Sequence, residues 1–290
     1  MKVDSTEKKK LSRSAEVWRR YRKSPTAMIG LAIILVIILG AIFADIIVPY
    51  DYGIKQVIPD RLQGPSLKHL FGTDDLGRDL FSRVIHGSRS SLVLGILTTA
   101  VATLIGGFLG GICAYYGNRV DNIIMRLLDV ITSIPSTLLS LSIVAALGPG
   151  IRNLVIAITV SRVPTFARVI RSAVLNIVNQ EYIEAAKAGG TRNLRIMLRH
   201  VYPNAMSPII VQCTMSISQL ILQAAGLSFL GMGMQPPAPE WGALLNSARD
   251  FMRTAPHLML FPGIAIVLAA LAFNLVGDGL RDAFDPRLKS

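Results

Sequence analysis

Long uncharged apolar runs alternate with short charged segments along the whole chain. Residues 25–44 carry no charge over twenty positions, about the length of one helical bilayer crossing. Residues 90–117 form a second run, in which Gly106, Gly107, Gly110 and Gly111 make two overlapping small-xxx-small registers and call for the close approach of another helix. A third span is expected over 123–147, with Arg126 and Asp129 one turn apart and paired with each other. A fourth is expected over 153–167, interrupted by Arg162 and kinked by Pro164. Residues 201–239 hold no charge in 39 positions, room for a fifth span and a polar turn, and the sixth is expected over 254–277. The pattern predicts an all-α polytopic membrane protein of six transmembrane helices.

The polar segments give this pattern an orientation. Residues 1–24 bring nine Lys or Arg against three acids, with Trp18 and Tyr21 placed as interfacial rings, and the apolar run that follows is longer than a signal-peptide core. Residues 45–89 hold six basic and six acidic residues. There Gly72 and Gly77 are expected to turn the chain, Asp74, Asp75, Arg78 and Asp79 to pair locally, and Phe81, Val84 and Ile85 to mark a short amphipathic helix. Trp241 is expected to anchor the segment 231–253 at the membrane interface, and Asp278, Arg281 and Asp282 to pair in the tail 278–290. Twenty of the 30 Lys and Arg fall on the side shared by both termini and nine on the other. The positive-inside rule then puts both termini in the cytoplasm, with 45–89 and 231–253 outside.

Composition narrows the function. With 51% hydrophobic residues in 290, no soluble domain is left to concentrate the net charge of +12, so nucleic acid is not an expected partner. Cys113 and Cys213 lie in apolar runs and the four histidines are scattered, which speaks against a disulfide framework or a metal site. No Gly-x-x-x-x-Gly-Lys-Ser/Thr loop is present to cradle a nucleotide phosphate.

One charged island, 181–204, stands between two apolar runs. Glu184, Ala185, Ala186, Lys187 and Ala188 favour a helix, Gly189 and Gly190 a bend, and Thr191 is placed to cap a second short helix that Pro203 ends. Arg192, Arg195 and Arg199 share one face of that helix, opposite Leu194, Met197, Leu198 and Val201. A basic amphipathic helix can lie on a membrane surface, but two alanines followed by two glycines leave little side-chain bulk and suit docking into a protein groove.

The spacing Glu184-Ala185-Ala186, three residues, Gly190, nine residues and an approach to Pro203 resembles the cytoplasmic loop of ABC-importer permeases, with His200 and Tyr202 where the general pattern prefers Ile and Leu. Residues 69–92, 227–246 and 274–288 are similar to passages of the dipeptide, oligopeptide and nickel branch of that family, in the same order. The resemblance implies the type I ABC importer permease fold and docking of ATPases at Glu184, Ala185, Ala186, Gly190, Arg192 and Arg195. It also implies a second homologous permease, two ATPase subunits that bind ATP and Mg, an extracytoplasmic binding protein, and residence in a bacterial or archaeal inner membrane. The chain itself is then not an enzyme and holds no cofactor.

For a peptide path, small and weakly polar linings are expected. Arg162, Ser136, Ser140, Thr214 and Ser218 are the candidates, beside Ser133, Ser142, Ser216 and Gln219; interhelical bonding is the other role open to the hydroxyl and amide residues, and pairing with a neighbouring subunit or snorkelling to an interface the other roles open to Arg162. Nickel chelates or glutathione are the alternative cargoes. An ion-coupled secondary transporter is the rival from another class, although no acid lies in the middle of any span.

Overall fold

The computed structural model describes residues 13–285, so the cluster at Lys8, Lys9 and Lys10 and the tail beyond Asp285 lie outside the described residues. Among those described, the regular secondary structure is helical apart from one isolated bridge, Thr73 to Asp79. The helices are α1 (Arg13–Tyr21), α2 (Pro25–Ile42), the single turn α3 (Ala44–Ile47), α4 (Leu80–Tyr116), α5 (Asn118–Thr132), α6 (Ser136–Leu147), α7 (Ile151–Val178), α8 (Glu181–Ala188), α9 (Asn193–Ile196), α10 (Tyr202–Phe229), α11 (Trp241–Ala248) and α12 (His257–Phe284). Five helical runs are long and apolar enough to cross a membrane: α2, α4, α7, Asn193–Phe229 and α12. The pair α5 and α6 makes a sixth if counted as one bent span.

That pair corrects the expected straight third span, since its two halves meet at 80°. Pro135 has no N–H to give and keeps Ile134 out of the helical region, while Ser133 Oγ donates to the Val130 carbonyl at 2.7 Å and closes the first half. Nor do Arg126 and Asp129 pair: Asp129 accepts from Arg168 of α7 at 2.7 Å, and Asp121 takes Arg171 in a two-pronged ion pair. These pairs satisfy the polar inner stretch of α7, which therefore runs to Val178, well past the expected end at Ala167, with Pro164 inside it.

The second span also starts earlier than its apolar run. Asp79 caps α4 by accepting from Ser82 N at 2.8 Å, and the expected short amphipathic helix and the span are one helix of 37 residues. Ser82, Arg83, His86 and Arg89 line one face of its first turns. They donate to the carbonyls of Pro49 (3.2 Å), Gly53 (3.2 Å), Val48 (2.9 Å) and Ala41 (2.5 Å), so the segment after α2 is laced onto α4. The local charge pairing expected here is present, Arg78 Nε donating to Asp74 at 2.6 Å, and Gly72 and Gly77 adopt φ of 81° and 73°.

The glycines of α4 let α7 pack against it. A Cβ on Gly106 would stand 2.7 Å from Phe166 Cβ, and one on Gly110 would meet the Ala167 carbonyl. Outward faces keep apolar side chains such as Val36 of α2, Leu104 of α4 and Val267 of α12, the pattern of a surface facing hydrocarbon.

Three further expectations are corrected. Trp241 is buried, its Nε1 donating to the Val84 carbonyl at 2.9 Å, because Gly87 leaves space beside its ring. Trp18 is half exposed, but Tyr21 is buried, stacking on Trp18 at 5.8 Å and donating to the Ala27 carbonyl at 3.1 Å. Asp278, Arg281 and Asp282 form no ion pair with one another among the described residues.

Candidate docking site and polar path

The island 181–204 folds as two short helices on a common apolar floor. Ile183, Ile196 and Val201 are fully buried and pack with Ile170, Val174 and Val178 of α7. The bend between the helices is a Schellman cap: Thr191 N donates to Ala186 O at 3.1 Å and Gly190 N to Lys187 O at 3.0 Å. That motif demands a left-handed residue, and Gly190 supplies it with φ 74°, while no atom lies within 4 Å of where its Cβ would be. Gly190 is therefore set by backbone conformation and leaves its outer side open.

The second helix departs from the expected geometry. Thr191 does not cap it, since Arg192 occupies the N-cap without a side-chain bond, and Pro203 does not end it. Instead a π turn, Met197–Val201, leads straight into α10, where Pro203 sits in the first turn and its missing N–H needs no partner. The extra residue of the π turn rotates the faces. Met197 and Val201 point inward, but Leu194 and Leu198, expected on the same apolar side, are 68% and 60% exposed. The surface thus presents Glu184, Ala185, Gly190, Arg192 and Arg195 with two leucines among them, while Ala186 is partly buried.

The end of α4 braces this platform. Lys187 Nζ lies 5.1 Å from the centre of the Tyr115 ring, and the Tyr115 hydroxyl donates to Asn193 Oδ1 at 2.8 Å. Tyr202 donates to the Gly107 carbonyl at 3.0 Å and fills the place a side chain on Gly111 would take. The departure at Tyr202 is thus matched by a glycine in α4.

The path candidates do not gather in one place. Ser140 is buried, its Oγ 2.9 Å from Ser161 Oγ, and Ser218 is buried and donates to Asn274 Oδ1 at 2.6 Å, so both bond between helices. Ser136 is half-buried at the start of α6, and Thr214 is half-buried as well, returning its hydroxyl to the Ile210 carbonyl at 2.9 Å. Arg162 is half-buried and donates from Nε to Gln223 Oε1 at 2.8 Å. Gln223 was missed in the sequence although it is the one polar side chain in the run 219–227 next to Gln219 that faces another helix; Glu240, buried at the head of α11, was missed as well.

Residues 102–290 match the family described as binding-protein-dependent transport system inner membrane component, and residues 12–65 match the N-terminal TM domain of oligopeptide transport permease C. The chain belongs to this permease family. It is 47% identical over 275 residues to the dipeptide transport system permease protein DppC of Alkalihalophilus pseudofirmus, covering 95% of this chain and 90% of the relative. The glutathione transport system permease protein GsiD of Escherichia coli is 46% identical, covering 94% and 90%. The di/tripeptide transport system permease protein DppC of Pseudomonas aeruginosa is 44% identical, covering 95% and 92%. Among solved structures, the MetNI methionine ABC transporter in an inward-facing conformation superposes with a TM-score of 0.57 at 18% identity, covering 70% of this chain and 97% of that one, and shows the same ABC-importer permease fold.

Proposed function

We propose that this permease forms half of the route by which an ATP-driven importer takes up di- or oligopeptides, glutathione included as a short peptide. A second permease completes the route, two ATPase subunits dock on the platform at 181–204, and an external binding protein delivers the solute. Both termini face the cytoplasm. The observation that carries the cargo is the set of relatives named for dipeptides, di/tripeptides and glutathione at 44–47% identity along nearly the whole chain. The docking assignment is supported by the exposed leucines and glycine of the platform, whose apolar floor holds it rigid.

The test is uptake by the complex in proteoliposomes, with labelled dipeptides, longer peptides, glutathione and a nickel chelate offered in turn. ATP-dependent uptake of at least one peptide class is expected. Nickel uptake without any peptide uptake overturns the cargo and leaves the permease role in place.

A further inference from the structure

Arg162 lies eleven residues into α7, about 16 Å from its first residue at 1.5 Å per residue, and so near the middle of a span. Its Nε donates to Gln223 Oε1 at 2.8 Å, and Gln223 Nε2 donates to Ser140 Oγ at 3.1 Å. Three helices thus fix the plane of the guanidinium. No carboxylate pairs with it among the described residues, and Gln223 is its only hydrogen-bond partner there. Its neighbours differ: Arg168 and Arg171 of the same helix are matched to Asp129 and Asp121. A charge held at this depth is costly unless something answers it, and the two Nη groups form a fork suited to a planar, two-oxygen anion.

Arg162 is outside the lining of the cavity of about 570 Å³ that lies further along these helices, between Val169 of α7, Ser207, Gln212 and Met215 of α10, and Arg281 and Asp285 at the end of α12. That volume falls within the range of small-molecule sites.

We propose that Arg162, positioned by Gln223 and Ser140, is a carboxylate-binding residue of the route and takes the C-terminal carboxylate of the passing peptide. The inference rests on the peptide reading above. Gln223 acts as a positioning residue, leaving the guanidinium charged and open because its carboxamide is neutral.

The test is the arginine reagent phenylglyoxal, applied to the assembled complex in nanodiscs without binding protein and mapped at Arg162 by mass spectrometry. A free-acid dipeptide is expected to slow modification about tenfold, the worth of one charge-assisted hydrogen bond, and the dipeptide amide hardly at all. Gln223→Glu supplies an internal carboxylate and should abolish the protection, whereas a purely structural role would leave it unaffected. In uptake, Arg162→Lys should retain most of the rate that Arg162→Gln loses. Equal protection by acid and amide, or none by either, overturns the inference. So does an Arg162 that reacts in the isolated chain but not in the complex, since the facing subunit then supplies the carboxylate. A parent complex that imports no peptide refutes the cargo reading instead.

Discussion

Glu240 is 1% exposed and has no cationic partner among the described residues. Its carboxylate accepts from Gly242 N and Ala243 N, both at 2.9 Å, and from the Ser91 hydroxyl at 3.1 Å, so it caps α11 and ties it to α4. Burial pushes this carboxyl above the usual range, and the bonds from Gly242 and its neighbours pull it only partly back. A raised folded value means that the residue's contribution to stability is present below the ordinary carboxylate value and is lost as pH rises through the folded one. Glu240→Gln should therefore gain thermal stability relative to the parent as pH climbs from about 4 toward neutrality. A difference that stays flat, or that shifts toward the parent, contradicts the assignment. The residues of the platform were open to a reader of the sequence because the spacing from Glu184 to Gly190 is local and the Schellman cap needs only its own backbone. Glu240 and Gln223 were not, since their meaning depends on partners far along the chain.

Helices were legible from the apolar runs, but their ends were not. The run 123–147 hides a break at Pro135, because a proline between apolar residues changes no hydropathy. The start of α4 and the end of α7 extend beyond their runs because Asp79 caps the one and Asp121 and Asp129 neutralise the other. The small-residue registers were read correctly as a contact, and the structure gives each glycine its weight. At Gly110 an added side chain meets the backbone carbonyl of Ala167, which cannot yield, while at Gly107 it meets only the tip of Ile170 at 3.3 Å. Gly110→Leu should therefore destabilise the protein by about 2 kcal/mol or more, and Gly107→Ala should stay near neutral. Melting midpoints of the purified variants in detergent decide this; equal losses would mean that the two helices do not pack through Gly110.

At the scale of the molecule, the apolar runs and the four family passages already contained the helical permease architecture, because membrane-spanning helices follow from hydropathy. The outward placing of two leucines on the platform was not legible in the sequence. A helix of regular pitch places Leu194 and Leu198 with Met197 and Val201, and the π turn separates them. Two leucines this exposed beside Glu184, Gly190 and Arg195 are the outer face of a protein contact in this account. The direct measurement is co-purification of the ATPase subunits with the permease pair, comparing the parent with Leu194→Asp and Leu198→Asp. Each variant is expected to insert and assemble with its companion permease but to retain less than about a tenth of the bound ATPase, in line with the loss of a central apolar anchor. Full retention of ATPase with undiminished ATP-driven uptake in both variants would contradict it.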